Sequence, residues 1–375
     1  MKALRKALDS SVVAGVFESP RRKVDTEHPF QLLQECVAGA LADAGLTIDS
    51  VDGLCVTAGD IAEGGLVEDV IEVAEYLGIT PSYVDGTDLG GLSAIAQLAR
   101  ACAAIHAGLA STVVIAYAAC PRRFPFGGDL PVTWPIGPGA TEAPYGVLNF
   151  AAYALYAQRH MHCYGTLPEH LAALVVDIRN NAAANPQALY RDPVTVDDVL
   201  SAPVISSPFT KPMCCVVTDS GGAVVLTKRD RLPDLSGTPV RVLGYGETIQ
   251  KVHLSQVPDF TTSPAAVSGP AAFRTADVSV SDIDVAQLYD AFAITPLMAL
   301  EDLGFCAKGE GGPFIMDGNV RPGGSIPINT DGGGLGSNHP GKRGVFALIE
   351  AIRQLRGEGP GVQLGGVELS LVHGI

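Results

Sequence analysis

The sequence predicts a large α/β fold built from two related halves, and three observations support this prediction. Apolar strands alternate with helices along most of the chain, which is typical of layered folds with a mostly parallel sheet. The 375 residues are 47% hydrophobic and 17% charged, so there is enough apolar material for a sizeable core. Two loops, residues 88–91 and 338–341, each precede a helix and then an apolar strand, which indicates an internal duplication of about 150 residues.

The first half follows this alternation. Residues 30–45 have apolar side chains at helical spacing and end at a glycine, so they predict a helix. The continuous apolar run at 112–117 predicts a strand that is covered on both faces. Between them we predict, in order, a strand at 51–57, a helix at 66–77, a strand at 82–85 and a small-residue helix from the glycine loop through residue 105.

A lobe of different character separates the two halves. Residues 121–212 contain Pro- and Gly-rich loops and two predicted helices, at 151–164 and 169–184, after which 214–227 return to strand character. We therefore place the halves at residues 1–230, including the lobe, and 231–375. In the second half we predict strands at 240–245, 284–289 and 367–372 and helices at 294–303 and 345–355.

The charge balance limits the partners. The chain has 25 Lys and Arg against 40 Asp and Glu, a net charge of −15, which argues against nucleic acid or an anionic membrane surface as the main partner. No apolar run approaches about 18 residues, and the charged N-terminus lacks the apolar segment of a signal peptide. Eight scattered cysteines without a C-x-x-C pair predict reduced thiols in a cytoplasmic protein.

The strongest local signal is the loop at residues 328–344. Six glycines and one histidine precede an apolar helix, which lets backbone amides approach a ligand and favours negative charge at the helix start. We predict that His339 lies where an oxyanion develops, and the alternative is a tight loop with a surface histidine. The loop also approaches a nucleotide P-loop, but Arg343 replaces the magnesium-binding hydroxyl and Pro340 removes an amide.

Two further polar residues are candidates for chemistry. Tyr289 ends the predicted strand at 284–289, and open α/β sheets bind ligands at the carboxyl ends of their strands. It is a candidate hydrogen-bond donor or, with a lowered pKa, a base, and a core tyrosine with a satisfied hydroxyl is an equal alternative. Asp88 precedes the central helix of the first half, where it has either a chemical role or the role of an N-cap.

The histidine and cysteine clusters predict no metal site. His160, His162 and Cys163 are neighbours on a predicted helix, and side chains at that spacing do not converge on one ion. Cys214 and Cys215 are predicted to pack in a strand. Neither a G-x-S-x-G nucleophile elbow nor a complete dinucleotide fingerprint is present in the sequence.

Taken in order, these segments resemble the thiolase superfamily, in its sterol-carrier and lipid-transfer thiolase-like branch. The resemblance covers nearly the whole chain and includes TDSGGAVVLT, LYDAFAITPLMALEDLGFC, GGSIPINTDGGGLGSNHPG and the final LVHG. It implies a duplicated βαβαβαββ fold, a five-layered α/β/α/β/α arrangement with a helical loop lobe, and a homodimer. It also implies activity on coenzyme A thioesters, with coenzyme A as part of the substrate and no tightly bound cofactor.

The departures from the family pattern decide the implied chemistry. The family's nucleophilic cysteine aligns with Asp88, and a carboxylate is a poor acyl acceptor for thioester exchange. Its second, proton-shuttling cysteine aligns with His373, and the histidine of its HDxF-like motif aligns with Tyr289. The histidine of the G-H-P motif is kept as His339, with Asn338 in place of the preceding glycine.

The resemblance therefore implies a retro-aldol lyase that acts on a β-hydroxyacyl-CoA with a steroid or other bulky lipid side chain. Tyr289 would take the β-hydroxyl proton, His339 would donate to the enolate oxygen, and Asp88 and His373 would assist. The remaining implied residues are Gly333, Gly334, Asn338 and Gly341 in the oxyanion loop, and Lys342 and Arg343, which either meet coenzyme A phosphates or are solvated.

Such lyases work with a small partner that contains a zinc ribbon and an OB fold, so the resemblance also implies a partner protein. Two other functions stay open at this point. One is an acyl-CoA C-acyltransferase of the thiolase type. The other is a non-catalytic subunit that binds acyl-CoA or lipid.

Overall fold

The computed structural model describes residues 2–25, 28–57, 69–122, 138–146, 149–251 and 253–375. Its strands are β1 (Ser11–Glu18), β2 (Gly53–Val56), β3 (Tyr83–Asp85), β4 (Thr112–Ala119), β5 (Val204–Ser206), β6 (Phe209–Thr210), β7 (Ser220–Lys228), β8 (Val285–Gln287) and β9 (Ser370–Val372). Its helices are α1 (Lys2–Asp9), α2 (Pro29–Ala44), α3 (Asp69–Leu77), α4 (Ser93–His106), α5 (Pro138–Glu142), α6 (Asn149–Tyr164), α7 (Pro168–Ala184), α8 (Val196–Ser201), α9 (Ala265–Ala276), α10 (Ile294–Asp302), α11 (Gly311–Met316) and α12 (Gly344–Arg356).

The described part of the first half forms a five-stranded sheet in the order β1-β7-β4-β2-β3. Strand β2 pairs in parallel with β3 and β4, whereas β7 lies between β1 and β4 and pairs antiparallel with both. Every residue of β4 is buried, as its continuous apolar sequence predicted. The reason is that α2 packs against one face of the sheet and α4 and α12 pack against the other.

The sequence patterns above do not predict β1. Its apolar run is interrupted by Gly15, and its register against β7 shifts between Val13 and Gly15. A Cβ atom at Gly15 would lie 2.1 Å from the carbonyl oxygen of Ala40 in α2. The glycine is required because the helix packs directly on the strand backbone, a tertiary contact that sequence periodicity does not report.

The second half has less regular pairing than predicted. Strands β8 and β9 pair in parallel, and Ile328 forms a bridge with Ala286 of β8. The strand predicted at 240–245 is wrong as a ladder, because in the described structure it forms one bridge, between Val240 and Val13 of β1. Beyond Val240, this segment pairs with no strand in the described structure.

The strand predicted from residue 214 is also wrong at its start. Cys214 and Cys215 lie in a loop that crosses the segment after β8, where the Cys215 amide donates to the Ala291 carbonyl at 2.8 Å. Regular pairing starts only at Ser220. The apolar sequence of this loop reflects burial beside the second half and not membership of the first sheet.

The N-terminal ends of α4 and α12, the helices that follow the two glycine loops, lie in contact. A Cβ atom at Gly344, the first residue of α12, would lie 2.3 Å from the carbonyl oxygen of Gly91, just before α4. Lys342 Nζ lies 2.8 Å from Asp88 Oδ2 across the same junction. The two loops that were matched in the sequence therefore meet in space, and the predicted α/β fold is confirmed.

The lobe contains α6 and α7 as predicted. His160 of α6 is buried, with Nδ1 2.8 Å from Thr166 Oγ1 and Nε2 2.9 Å from Glu301 Oε2 of α10. These partners make His160 a structural link between the lobe and the second half. Across the described ranges, no group of three or more His, Cys, Asp or Glu side chains is placed to hold a metal ion.

Two predictions fall on other parts of the chain. The first residues of the helix predicted at 66–77 and the lobe loop at 123–137 lie outside the described residues. Of the helices that are described, none combines the length and the apolar character needed to cross a bilayer.

Candidate active site

Tyr289 and His339, predicted from separate motifs, lie in contact. Tyr289 is two residues beyond β8, and its Oη atom lies 3.2 Å from His339 Nε2. The same Oη accepts a hydrogen bond from the Arg343 amide at 3.3 Å. The ring packs on Gly91, where a Cβ atom would lie 2.1 Å from it. The carboxyl end of β8, the 338–344 loop and the start of α4 thus form one site.

Burial sets the protonation states of this pair. Tyr289 is 4% exposed and His339 is 8% exposed. Burial raises the pKa of the Tyr289 phenol well above its ordinary value. Burial, reinforced by the nearby Arg343 charge, lowers the pKa of His339 to about 4. At neutral pH the pair is a phenol hydrogen-bonded to a neutral imidazole, so of the two roles considered for Tyr289 the structure favours the hydrogen-bond donor over a base with a lowered pKa.

Arg343 does not face coenzyme A phosphates or solvent, which corrects both readings from the sequence. Its side chain is 1% exposed and pairs with Asp331 at 2.7 Å and with Asp290 at 3.3 Å. It also donates to the Asn338 carbonyl at 2.9 Å. Burial alone would lower the pKa of the Arg343 guanidinium, but the two carboxylates raise it above its ordinary value, so the side chain stays charged.

The glycine run is a scaffold, which corrects its predicted role as an oxyanion loop. Residues Gly333–Ser337 form a buried π-helical turn. The Gly334 and Leu335 amides donate to the two carboxylate oxygens of Asp290, at 2.8 and 3.2 Å, and the Gly333 amide donates to Asp331 at 2.9 Å. These N–H groups are therefore already used and cannot bind a substrate oxygen without breaking the turn.

The Asn338 side chain also stabilises the loop that carries His339. Its side-chain Nδ2 atom donates to Glu18 at 2.9 Å and to Ser220 at 3.1 Å, and its side-chain Oδ1 atom accepts from the Thr218 hydroxyl at 2.6 Å. The Thr218 hydroxyl in turn accepts from the His339 amide at 3.0 Å. The structure therefore gives Asn338 the role of holding the histidine loop against β1 and β7.

Asp88 and Lys342 form an ion pair between the two loops. Asp88 Oδ1 accepts from the Gly90 amide at 3.0 Å, and α4 begins only at Ser93, so Asp88 is not its N-cap. The Asp88 side chain is 43% exposed and that of Lys342 is 13% exposed. Gly341 contributes a carbonyl oxygen 3.5 Å from Tyr289 Oη.

His373 lies at the end of β9, and its amide donates to the Gln287 carbonyl at 2.9 Å. Burial lowers the pKa of its imidazole to about 4. Within the described part of the chain, its buried Nδ1 atom has no hydrogen-bond partner. The side chain lines a cavity of about 500 Å³ whose lining does not include the Tyr289–His339 pair.

One thiol lies close to the pair. Cys215 interacts electrostatically with Tyr289, and burial raises its pKa to about 12. At neutral pH it is a thiol and not the thiolate that attacks a thioester. Its chain segment is held by the Cys215 and Val216 amides, which donate to the Ala291 and Gly334 carbonyls at 2.8 Å.

Sequence reasoning missed the two carboxylates that organise this site. Asp290 follows Tyr289 directly in LYDAF, and Asp331 precedes the glycine run. A charged residue inside an apolar strand-to-helix junction is a signal for a buried ion pair, because an unpaired charge is costly there. The partner, Arg343, lies more than 50 residues from Asp290, so no local pattern identifies it.

Comparisons with known proteins show the family. Residues 246–375 match the family model described as thiolase C-terminal domain-like. The chain is 31% identical over 349 residues to an acetyl-CoA acetyltransferase of Methanothermobacter thermautotrophicus, covering 92% of this chain and 90% of that protein. It is 32% identical over 377 residues to the 17-hydroxy-3-oxo-4-pregnene-20-carboxyl-CoA lyase of Mycobacterium tuberculosis, covering 96% and 95%.

The solved structure of the Ltp2-ChsH2(DUF35) aldolase superposes with a TM-score of 0.86 at 32% identity, covering 98% of this chain and 94% of that one. The match extends over both halves and the lobe. It agrees with the family model of the C-terminal part and with the full-length relatives. The chain therefore belongs to the thiolase superfamily, in its sterol-carrier and lipid-transfer thiolase-like branch.

Proposed function

We propose that this protein is a carbon–carbon lyase that cleaves a β-hydroxyacyl-CoA by a retro-aldol reaction. The observation that carries the proposal is the 3.2 Å contact between Tyr289 Oη and His339 Nε2. The family resemblance aligns Asp88 with the nucleophilic cysteine, and burial keeps Cys215 as a neutral thiol. A retro-aldol step needs a proton acceptor and a stabilised enolate but no covalent acyl intermediate.

The pair provides a route for the proton. With the imidazole proton on Nδ1, His339 Nε2 accepts the Tyr289 hydroxyl hydrogen. As the substrate β-hydroxyl gives its proton to Tyr289 Oη, Tyr289 passes its own proton to His339. The Cα–Cβ bond breaks, the β-carbon becomes a ketone or aldehyde, and the electron pair moves onto the thioester as an enolate. The proton then returns from His339 through Tyr289 to Cα, which releases the shortened acyl-CoA.

The pKa shifts set the resting states of the pair and the cost of the proton transfer. Burial and the Arg343 charge keep the pKa of His339 near 4, so the resting imidazole is neutral and can accept the Tyr289 hydrogen bond, and its protonation is uphill until the enolate charge develops. The imidazolium that forms lies beside the developing enolate, so opposite charges appear together in a site of low dielectric. Tyr289 therefore shares the role of base with His339, because its raised pKa disfavours the phenolate that would be needed to take the proton alone.

Two relatives support the substrate class. One is named for cleavage of a pregnene carboxyl-CoA, and the aligned solved structure is an aldolase complex. The acetyltransferase relative shows that the family also contains acyl transfer. We assign this chain to the lyases, with a steroid or similarly bulky lipid side chain on the β-carbon.

We also propose the assembly state and partner. The solved relative is named as a complex with a DUF35 protein, and we expect a protein of that type to bind this chain. We further expect a homodimer in the cytoplasm. Size-exclusion chromatography with light scattering, with and without the DUF35 protein, tests both expectations.

The decisive experiment incubates the purified protein, alone and with a DUF35-type partner, with a panel of β-hydroxyacyl-CoAs that includes tertiary ring alcohols. Mass spectrometry should detect equal amounts of a carbonyl product and a shortened acyl-CoA. Tyr289→Phe should lower the rate of formation of both products by at least about a hundredfold, whereas the matched control Tyr190→Phe, at a half-exposed tyrosine outside the site, should not.

The same reactions separate the alternatives. A stable acyl adduct on the protein, or acyl transfer to free coenzyme A, would replace the lyase by an acyltransferase. Tight acyl-CoA binding with unchanged ligand in every mixture would leave a binding subunit.

A further inference from the structure

A chain of four polar side chains is buried behind the Tyr289–His339 pair, between α12 and β8. The Thr330 hydroxyl donates to Glu350 Oε1 of α12, and Gln287 Nε2 of β8 donates to the Thr330 hydroxyl at 3.0 Å. Gln354, one turn further along α12, donates to the same Glu350 oxygen at 2.9 Å. Each of these four side chains is 2% exposed or less, so solvent does not screen the links between the helix and the strand.

This chain is joined to the site through both neighbours of Thr330. Asn329 bonds to the backbone of the residue that precedes Tyr289, accepting from its amide at 2.7 Å and donating to its carbonyl at 2.9 Å. Asp331 pairs with Arg343 at 2.7 Å, and the Arg343 amide donates to Tyr289 Oη. The position of Thr330 therefore affects both the backbone and the hydroxyl of Tyr289.

Two buried oxygen atoms in this chain lack a hydrogen-bond donor. Glu350 Oε2 and Gln287 Oε1 have no hydrogen-bond partner among the described residues. An ionised carboxylate and an amide carbonyl only accept hydrogen bonds, so neither can satisfy the other in that state. A proton on Glu350 Oε2 turns this atom into a donor, and the Gln287 amide, which bonds to the same Thr330 hydroxyl, offers the acceptor. One proton thus satisfies two buried groups that would otherwise be costly.

The charges around Glu350 also favour its neutral form. Burial and the negative charge of Asp331 raise the pKa of the Glu350 carboxyl above its ordinary value. Arg353, on the same helix, acts in the opposite direction, but its guanidinium pairs with Glu18 of β1 at 3.1 Å. Arg343 pairs with Asp331, so both nearby guanidinium groups already have a carboxylate partner.

The other elements packed against α12 also carry ionisable groups. The side chains that β7 and α4 present to it are apolar, apart from the Cys102 thiol of α4, and β4 adds Tyr117 to the same layer. At the end of β9, the His373 amide donates to the Gln287 carbonyl. Burial raises the pKa of Cys102 to about 11 and lowers that of His373 to about 4. Neither the thiol nor the imidazole therefore titrates between pH 6 and pH 9.

We propose that Glu350 is a neutral carboxylic acid that positions Tyr289 by donating its proton to Gln287 Oε1. The bond completes the link from α12 through β8 and Thr330 to the groups that hold Tyr289. Ionisation places a second negative charge beside Asp331 and breaks the bond to β8. Glu350 is a positioning residue, since it acts on the reaction through Tyr289. This effect on catalysis rests on the proposed lyase reaction, whereas the protonation of Glu350 does not.

Infrared spectroscopy tests the protonation without any substrate. The spectrum of the wild-type protein at pH 7 should contain the C=O stretch of a protonated carboxylic acid that Glu350→Gln lacks. This variant keeps a neutral group with one acceptor and a donor in the same place. The matched control Glu368→Gln, at an exposed glutamate, should keep the acid band.

Thermal unfolding at pH 5 and pH 9 is a second test that needs no activity. A carboxyl with a raised pKa keeps a proton in the folded protein that the unfolded chain releases near pH 4.3. The wild type therefore loses stability relative to Glu350→Gln as the pH rises toward the folded pKa. The difference in melting temperature should move by at least about 2 °C in favour of the variant, and Glu368→Gln should show no such change.

Enzyme kinetics test the positioning role. The kcat of the wild type should fall at alkaline pH as Glu350 ionises, and Glu350→Gln should remove this alkaline limb. Glu350→Leu, which removes both oxygens, should lower kcat by about tenfold or more at every pH, with little change in KM. Gln287→Met removes the acceptor on β8 and should have the same effect, which covers the case in which Glu350→Leu does not fold.

Two results overturn the proposal. One is the absence of the acid band together with a melting-temperature difference that does not depend on pH, as expected if a water molecule bridges an ionised Glu350 to Gln287. The other is an equal alkaline limb in the wild type and in Glu350→Gln. An acid band in a protein that forms no carbonyl product would refute the proposed reaction and support the neutral Glu350.

Discussion

The loop at residues 88–91 and the loop at 338–344 occupy matching places before the two central helices, but they are held in different ways. The first contains Asp88, whose side chain is 43% exposed and pairs with Lys342. The second is buried, and Arg343 ties it to Asp331 and Asp290 at its core. The comparison indicates that the second loop is held by buried ion pairs, whereas the first is held by a partly exposed one at the residue that the family resemblance aligns with the nucleophilic cysteine.

The largest effect is expected from removing the charge inside the second loop. Arg343→Met leaves Asp290 and Asp331 buried without their cation and should lower the free energy of unfolding by about 3–5 kcal/mol. Urea unfolding measures this change. Arg343→Lys, which keeps the charge but loses the bidentate geometry, covers the case in which the first variant does not fold. Losses below about 1 kcal/mol for both variants would contradict the comparison.

The next effect concerns the pair that this loop holds. Tyr289→Phe removes the hydroxyl that links the substrate to His339 and should lower kcat about 10²- to 10⁴-fold. It also leaves the buried Arg343 amide without its acceptor, which should lower the free energy of unfolding by about 1–3 kcal/mol. His339→Gln should lower kcat to a similar degree. Single-turnover product formation measures both rates. Retention of more than a tenth of the activity by either variant would remove that residue from the proton route.

A pH effect on stability should follow from the buried imidazoles. The pKa values of His339 and His373 are near 4 in the folded protein, against about 6.5 in an unfolded chain. The unfolded state therefore binds protons first, so stability is complete above pH 6.5 and falls as the pH drops toward 4. The expected loss is about 3 kcal/mol for each histidine.

Denaturant titrations at pH 7 and pH 4.5 measure this loss. His373→Gln removes one of the two contributions and should flatten the profile by about half. The same slope in the wild type and in this variant would show that His373 is solvated in the folded protein.

The smallest effect is expected in the first loop. Asp88→Asn weakens a partly exposed ion pair and should lower the free energy of unfolding by about 0–1 kcal/mol. Lys342→Met should lower the free energy of unfolding by a similar amount. The loss in the double variant should be smaller than the sum of the two single losses. A fall in kcat of more than tenfold for Asp88→Asn with unchanged stability would give Asp88 a chemical role and reverse the comparison.

The sequence was a good guide wherever the structure depends on local pattern. The helix predicted at 30–45 is α2, which ends at Gly45 in a left-handed conformation, and the apolar run at 112–117 lies within β4. Tyr289, predicted at the end of a strand, lies two residues beyond β8, where its hydroxyl contacts His339. The predicted strand at 240–245 failed because pairing requires a neighbour, and a segment's own residues do not supply one.

The amino-acid sequence by itself indicated the alternation of elements, the duplication and the two motifs that carry Tyr289 and His339, and its resemblance to the family implied that Asp88 stands in place of the nucleophilic cysteine. Only the tertiary structure decided that Arg343 is buried between two carboxylates, that the glycine amides are already bonded to Asp290 and Asp331, and that the Tyr289–His339 pair is neutral. Periodicity and motifs are properties of neighbouring residues along the chain. Desolvation and charge pairing depend on groups that are distant in sequence and become neighbours only when the chain folds.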